Sequence, residues 1–235
     1  NYSPEMIVTA SDDKTAKIWS LDGKLIRTLE HKESVYFAGF SPDGQTIATA
    51  SKDKTVILWN LNGTKKTTLE HNDFVYFVSF SPDGQIIATS SADGTVTFWN
   101  KDGKNLKTLT AHDVQTYTVN FSPKGKFIAT TSRDGTVKLW SIISKDKNKD
   151  KNNEDIEIEE LKTLTGHTNI VDYVSFSPDG QTIATASRDK TVILWKLDIN
   201  ELEKLTNSKK SLNTLMKDGC DWIKNYLNSS KSKDS

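Results

Sequence analysis

Residues 41–59 read SPDGQTIATASKDKTVILW, and residues 177–195 read SPDGQTIATASRDKTVILW. The two stretches differ only where Lys52 in the first corresponds to Arg188 in the second. Weaker copies of the same phrase occur elsewhere in the chain, and each copy ends in a tryptophan. These tryptophans are Trp19, Trp59, Trp99, Trp140 and Trp195, separated by 40, 40, 41 and 55 residues. A regular period of this length predicts one structural unit that is repeated about five times.

Each unit contains four short segments typical of β-strands, separated by turns. In the unit that contains Trp99, the segments are VYFVSF, QIIATSS, TVTFW and NLKTLTAH. Turns are predicted at Ser81-Pro82-Asp83-Gly84, Asp93-Gly94 and Asp102-Gly103, where proline and glycine favour tight turns. Four successive strands indicate an antiparallel meander. Because strands such as VILW are apolar on both faces, we predict an all-β fold: a β-propeller of stacked, four-stranded antiparallel blades.

The period, the four strands and the tryptophan that ends the third strand resemble those of WD repeats (the WD-40 family). The resemblance covers roughly residues 3–206. The Gly-His pair of the family is present once, at Gly166-His167, and the aspartate that usually follows the tryptophan is replaced in every copy. Tyr2-Ser3-Pro4 aligns with the end of an inner strand, Phe40-Ser41-Pro42, so the first repeat is expected to be incomplete.

Four polar or aromatic residues recur at constant spacing, with offsets of 20, 22 and 28 residues from each histidine. The sets are His31, Ser51, Asp53 and Trp59; His71, Ser91, Asp93 and Trp99; His112, Ser132, Asp134 and Trp140; and His167, Ser187, Asp189 and Trp195. Ser, His and Asp also form hydrolase triads, but a catalytic site is needed once, whereas a structural set is needed in every blade. The resemblance implies that the Asp accepts a hydrogen bond from the His ring and that the Ser hydroxyl bridges to the indole N–H.

Differences between the copies indicate where a partner would bind. In WD propellers, the start of the innermost strand and the residue before the turn Asp lie on one face, around the central channel. The residues mapped to that face, which we expect to bind a protein or peptide, are Tyr36, Lys52, Phe74, Tyr76, Tyr117, Arg133, Asp172 and Arg188. Aromatic residues and arginine are enriched at interface hot spots. The alternative is that these aromatics are partly buried strand ends.

The sequence therefore predicts a non-catalytic scaffold for protein–protein interaction, with no cofactor and no metal. A second possibility is the C-terminal sensor or regulatory propeller of a larger bacterial signalling NTPase, because the tail resembles the C-terminal ends of large bacterial WD-repeat proteins. The chain contains no GxxxxGK[ST] phosphate loop, so any nucleotide chemistry would lie upstream. We expect upstream blades or domains of the same polypeptide among the partners.

The amino-acid composition also indicates whether nucleic acids or membranes are expected as partners. Lys and Arg together number 31, as do Asp and Glu, so no basic excess favours nucleic acid. No apolar stretch reaches the length of a membrane span, and no membrane partner is expected. Cys220 is the single cysteine, which excludes an intrachain disulfide and favours a reducing, cytoplasmic location.

The insertion and the tail complete the organisation that we predict: a propeller over residues 1–207 and a helical C-terminal tail over 208–235. The longer last spacing places a charged insertion at about 144–160, which we expect to be disordered. Asp146, Asn148, Asp150 and Glu157 match EF-hand spacing, but a lysine stands where that loop needs glycine, so calcium is not expected. The stretch 202–207 resembles 161–166 and suggests a last outer strand.

Overall fold

The structure is a computed structural model that describes residues 6–144 and 156–209. Antiparallel sheets follow one another along the chain, and we number these sheets as blades 1 to 5. The chain divides into two compact units, residues 1–196, which hold the blades, and residues 197–235. Within the described residues, no helix has the length and apolar character needed to cross a membrane.

The strands are short, and most have six residues. Blade 1 contains β1 (Met6–Ala10), β2 (Thr15–Ser20) and β3 (Leu25–Glu30). Blade 2 contains β4 (Val35–Phe40), β5 (Thr46–Ser51), β6 (Thr55–Asn60) and β7 (Lys65–Glu70). Blade 3 contains β8 (Val75–Phe80), β9 (Ile86–Ser91), β10 (Thr95–Asn100) and β11 (Asn105–Thr110). Blade 4 contains β12 (Thr116–Phe121), β13 (Phe127–Ser132), β14 (Val137–Ser144) and β15 (Ile156–Leu164). Blade 5 contains β16 (Val171–Phe176), β17 (Thr182–Ser187) and β18 (Val192–Lys196).

This architecture confirms the predicted fold class. Blades 2, 3 and 4 are four-stranded meanders in which each strand pairs with the next along the chain. Blade 1 has three strands in the described residues, and β1 aligns with β5, the second strand of blade 2. The described part of the first repeat therefore starts with the counterpart of a second strand, as its alignment predicted.

The Ser-Pro-Asp-Gly turns join the first strand of a blade to the second. In blade 2, the Ser41 hydroxyl donates to the Asp43 carboxylate at 2.6 Å, and the Gly44 amide donates to the Ser41 carbonyl at 2.8 Å. Gly44 has a φ of 69°, in the left-handed region that side chains disfavour. The same serine, aspartate and glycine contacts set the same hairpin in blades 3 and 5.

Consecutive blades bury their apolar faces against each other, with the inner strands at the contact. Between blades 2 and 3, the buried residues contributed by blade 2 are Ala48, Ala50, Val56, Leu58 and Leu69. Those contributed by blade 3 are Val75, Val78, Ile87 and Trp99. Because burying one such aliphatic side chain contributes about 1.5–3 kcal/mol, these joints supply much of the stability of the array.

The observed secondary structure corrects two predictions made from the sequence, and the first concerns the insertion. Residues 156–160, which we expected within a disordered insertion, belong to β15, and β15 pairs with β14. Ile156 and Ile158 are 6% and 7% exposed because the Ile-Glu alternation puts both isoleucines on the core face. Residues 145–155, with most of the EF-hand-like positions, lie outside the described residues.

The second correction concerns 202–207, which is helical and not an outer strand. The helix covers residues 199–209, where the described part of the chain ends. Asp198 caps its first turn, since its carboxylate accepts a hydrogen bond from the Glu201 amide at 3.1 Å. The rest of the predicted tail, with Cys220, lies outside the described residues.

Candidate functional site

A polar network lies inside blade 2 and links three of its elements. The Trp59 indole N–H, on β6, donates to the Thr49 hydroxyl on β5 at 2.8 Å. The same hydroxyl lies 2.6 Å from Nε2 of His31, in the connector that precedes β4. Nδ1 of His31 lies 2.8 Å from the carboxylate of Asp53, in the turn between β5 and β6. The His31 side chain is fully buried, so the network is sealed from solvent.

The direction of the hydrogen bonds follows from the protonation state of the ring. Burial lowers the pKa of His31 below its usual value, so the imidazole is neutral at pH 7. Its single N–H then donates from Nδ1 to Asp53, and Nε2 accepts from the Thr49 hydroxyl. The resulting chain runs Trp59 to Thr49 to His31 to Asp53, and every donor in it has an acceptor.

Blades 4 and 5 repeat this arrangement. His112 lies 3.1 Å from Asp134 and 2.9 Å from Thr130, to which the Trp140 indole donates at 3.0 Å. In blade 5, the corresponding distances among His167, Asp189, Thr185 and Trp195 are 2.8, 2.8 and 2.9 Å. The same hydrogen-bonded set is therefore present in blades 2, 4 and 5.

Blade 3 differs at one hydrogen bond. Nε2 of His71 lies 2.7 Å from the Thr89 hydroxyl, which also accepts from Trp99 at 3.0 Å. Nδ1 of His71, however, lies 3.1 Å from the Leu69 carbonyl and not at the Asp93 carboxylate. Burial lowers the pKa of His71 to about 4, so this ring is neutral at pH 7.

The role predicted for the serines is wrong. The Ser51 hydroxyl donates to main-chain carbonyls, with Ser34 O at 2.9 Å, and it accepts from the Asp53 amide at 3.0 Å. The register explains why it does not meet the indole. Trp59 is paired with Ile47, and Ser51 lies about 13 Å along β5 from that residue, whereas Thr49 is only about 7 Å away.

The hydroxyl that bridges His and Trp therefore belongs to threonines that the sequence analysis missed: Thr49, Thr89, Thr130 and Thr185. A signal was present, because each of these threonines stands ten residues before its tryptophan. Blade 1 carries the same pair without a histidine, with Trp19 donating to Thr9 at 2.9 Å.

In the described hydrogen bonds, the serine of the quartet does not contact a histidine. The serine of the quartet bonds main chain, and the described histidine contacts are to Asp, Thr and one carbonyl. Among the described residues, no group of three or more His, Cys, Asp or Glu side chains is arranged to hold a metal ion.

A row of aromatic rings crosses the starts of three inner strands. The Tyr36 and Tyr76 ring centroids are 5.4 Å apart, and those of Tyr76 and Tyr117 are 4.8 Å apart, with ring planes inclined by 25°. The guanidinium of Arg188 lies 5.7 Å from the Tyr117 ring centroid and extends the row to blade 5. Arg188 is held in turn by Asp172, to which its Nε and Nη2 donate at 3.0 Å.

The other residues predicted at this face lie in smaller groups. The Lys52 ammonium is 5.4 Å from the Phe74 ring centroid, a cation–π contact between blades 2 and 3. Arg133 donates to the Gln115 side-chain oxygen at 3.4 Å. We use the term tyrosine face for the eight residues Tyr36, Lys52, Phe74, Tyr76, Tyr117, Arg133, Asp172 and Arg188.

The rings of the tyrosine face are both packed and accessible. Tyr36 is 39% exposed, and Tyr76 and Tyr117 are half-buried. Burial raises the pKa of Tyr36 and of Tyr76, so both hydroxyls stay protonated at neutral pH and can donate hydrogen bonds. The face thus combines fixed apolar rings, hydroxyl donors and cations.

Two families of known proteins match this chain, each over a different part of the blades. Residues 1–152 match the family described as IFT122 first beta-propeller, and residues 158–196 match the one described as WD domain, G-beta repeat. The chain is 41% identical over 58 residues to the probable cytosolic iron-sulfur protein assembly protein 1 of Kluyveromyces lactis. It is 50% identical over 40 residues to the meiotic fizzy-related protein 1 of Schizosaccharomyces pombe. It is 62% identical over 34 residues to the Notchless protein homolog of Arabidopsis thaliana.

These similarities are local. The aligned segments cover 25%, 17% and 14% of this chain, and 17%, 10% and 7% of the three relatives in the same order. The chain therefore matches only a small part of each relative, in keeping with a shared repeat.

Proposed function

We propose that this chain, which belongs to the family of WD-repeat β-propellers, is a non-catalytic scaffold. The family is matched over residues 1–152 and 158–196. In this proposal, the scaffold binds another protein or a peptide through the tyrosine face. The observation that carries this proposal is the partly exposed row of Tyr36, Tyr76 and Tyr117, which ends at Arg188. Tyrosine and arginine dominate binding energy at protein interfaces.

Preorganisation supports the same proposal. Ordering a long side chain on binding costs about 0.5–1.5 kcal/mol. The tyrosine rings already hold one another, and two directed hydrogen bonds to Asp172 already fix Arg188. A partner would therefore meet side chains that have little conformational freedom left to lose.

The buried hydrogen-bond networks around the histidines affect the tyrosine face indirectly. His31 lies in the connector immediately before β4, the strand that carries Tyr36, and its ring is bonded to β5 and to the following turn. We propose that each quartet, completed by its threonine, is structural and fixes the connector on which the inner strand begins. The scaffold then has no catalytic residue of its own.

Location and wider context follow the same proposal. A cytoplasmic location and a peptide or protein partner fit the single cysteine and the zero net charge. The alternative, a regulatory propeller of a bacterial signalling NTPase, receives no support from the comparisons.

The proposal is tested by changing the face without touching the quartets. Affinity purification with the chain as bait, followed by mass spectrometry, identifies the proteins that are retained. We expect the triple variant Phe74→Ala, Tyr76→Ala and Arg188→Ala to lose them while its melting temperature stays near that of the wild type.

The matched control is Tyr173→Ala, which removes an exposed tyrosine from the inner strand of blade 5, outside the tyrosine face. Retention of the same proteins by the triple variant would refute the assignment of the face.

A further inference from the structure

A cleft of about 320 Å³ lies between blades 2 and 3, where the inner strands β4 and β8 end. The tyrosine face, by contrast, lies where these strands begin. Leu58 and Ile87, which are 0% and 1% exposed, line the base of the cleft together with Phe80. Every residue that lines it belongs to blade 2 or blade 3, so neither end of the chain is needed to form it. The volume is within the range of about 300–1,000 Å³ that is usual for ligand sites.

Two apolar side chains occupy the corresponding position at the neighbouring joints. Between blades 3 and 4, Leu106 and Ile142 pack against the buried core. Between blades 1 and 2, Ile26 and Leu61 do the same. In each pair, the first residue comes from the last strand of one blade, and the second stands two residues after the tryptophan of the next blade.

At the joint between blades 2 and 3, both of these positions are lysines. Lys66 stands at the first position, in β7, and Lys101 stands at the second, two residues after Trp99. Both lysines line the cleft, and both are exposed. Because an ammonium group is costly to bury without a partner, neither lysine can fill the joint as the apolar pairs do. The exchange of two apolar residues for two lysines therefore accounts for the cleft and places two positive charges at its rim.

Two carboxylates also line the cleft, but their contacts belong to the turns. Asp43 accepts from the Ser41 hydroxyl at 2.6 Å and from the Gln45 amide at 3.0 Å, and Asp83 accepts from the equivalent serine and glutamine. The hydrogen bond from Ser41 lowers the pKa of Asp43, and the Lys66 ammonium contributes to that shift. The same turn contacts recur in blade 5. The lysine pair, and not the carboxylates, is therefore what distinguishes this joint.

We propose that the cleft binds a small organic acid with an apolar body. The carboxylate of the ligand is held by Lys66 and Lys101, and its apolar part lies against Leu58, Phe80 and Ile87. A bound anion offsets the repulsion between two cations at one rim, and burial of its apolar part against the base of the cleft favours binding. This site is separate from the tyrosine face and does not rest on the function proposed for that face.

The contacts that the two lysines already make can be exchanged for a ligand. The Lys101 ammonium lies 3.5 Å from the Asp102 carboxylate, and the two side chains are 57% and 64% exposed. Exposed ion pairs of this kind contribute little to stability. Lys66 influences Asp43 through its charge, and that carboxylate already accepts two hydrogen bonds within its own turn.

Titration of the full chain with phenylacetate, followed by amide NMR spectra, tests the proposal. We expect chemical-shift changes centred on residues of the cleft, such as Thr46, Gly84 and Gln85. Phenylacetamide keeps the ring and lacks the charge, whereas inorganic phosphate keeps a charge and lacks the apolar body. Each of these two probes is expected to bind about tenfold more weakly than phenylacetate, or not at all.

Two variants restore the side chains found at the joint between blades 3 and 4. Lys66→Leu and Lys101→Ile are each expected to weaken the binding of phenylacetate by about tenfold, and the double variant should abolish it. The melting temperature is expected to stay the same or to rise, because apolar side chains then fill the joint. Lys104→Leu, which changes an exposed lysine outside the cleft and three residues after Lys101, is the matched control and should bind like the wild type.

Three results would overturn the proposal. One is a wild-type chain whose spectrum does not change with phenylacetate, or changes only away from the cleft. Another is equally strong binding of phenylacetate and of either comparison probe, which would show that the lysines or the apolar base play no part. The third is binding that persists in the double variant. Circular dichroism of each variant checks that its strands are intact.

Discussion

At the scale of single residues, one hydroxyl decides how each blade satisfies its buried polar groups. Thr49 is fully buried and is the only side chain that contacts both the indole of Trp59 and the ring of His31 in the hydrogen bonds described for blade 2. A buried polar group without a partner costs about 1–3 kcal/mol. Threonine at this position is therefore as much a part of the network as the histidine and the tryptophan.

Replacing Thr49 by valine tests this role, because valine keeps the shape and removes the hydroxyl. We expect Thr49→Val to lower the free energy of unfolding by about 1–3 kcal/mol, since the indole N–H and Nε2 of His31 both lose their partner. Thr49→Ser keeps the hydroxyl and should cost less. Urea denaturation measures both variants.

Blade 1 supplies an internal control for that experiment. Thr9 accepts from Trp19, which is only half-buried, and the described contacts of Thr9 include no histidine. Thr9→Val is therefore expected to be milder than Thr49→Val. Equal losses in Thr49→Val and Thr49→Ser would show that the hydroxyl is not what stabilises the blade.

The buried ring of His71 predicts a loss of stability in mild acid. Burial lowers the pKa of His71 from 6.5 to about 4, so between these values the unfolded chain binds a proton that the folded chain does not. Stability is then unchanged above pH 6.5 and falls as the pH drops toward 4, by up to about 3 kcal/mol for this group at 1.4 kcal/mol per pKa unit.

Denaturation curves recorded from pH 8 to pH 4 measure this dependence. His71→Gln removes the titrating group and should flatten part of the slope, although it is less stable at pH 8 if the glutamine does not bond Thr89. A wild-type chain whose stability is constant or rises as the pH falls from 6.5 to 4 would contradict the assignment of a neutral, buried ring to His71.

At the scale of elements, turns and strand patterns were the most predictable features, and their exceptions have local causes. Residues 156–160 belong to β15 because alternating isoleucines bury one face of an otherwise acidic segment. The stretch 202–207 resembles an outer strand by composition, yet it is helical after the cap at Asp198. Local similarity to 161–166 did not decide between the two structures, because both share the same apolar residues.

The turn between the second and third strands offers a test at this scale. Gly94 has a φ of 85°, and a Cβ atom placed on it would lie 2.3 Å from the His112 carbonyl oxygen. Lys54 occupies the same turn position in blade 2 with a φ of 70°. The two positions share a left-handed backbone but differ in the room around them.

We therefore expect Gly94→Ala to destabilise the chain by about 1–3 kcal/mol, from backbone strain and the contact with His112 O. Lys54→Gly should leave the free energy of unfolding nearly unchanged, because relief of the left-handed conformation offsets the greater freedom of glycine in the unfolded state. Thermal denaturation of both variants provides the comparison, and a neutral Gly94→Ala would show that the connector at His112 yields easily.

At the scale of the whole array of blades, repetition does two things at once. It lets neighbouring blades pack against each other through the same few aliphatic positions, and it places equivalent tyrosines side by side at the starts of the inner strands.

The sequence alone determined the period, the order of strands, the turns and the constant set of histidine, serine, aspartate and tryptophan, because these depend on local alternation and turn chemistry that each repeat carries in full. Only the tertiary structure decided which hydroxyl lies between His31 and Trp59. That choice depends on the register of β5 against β6 and on how far the Trp59 indole extends toward the neighbouring strand. It also decided that Tyr36, Tyr76 and Tyr117 form one row, because ring-to-ring distances depend on how far each blade is rotated from the next.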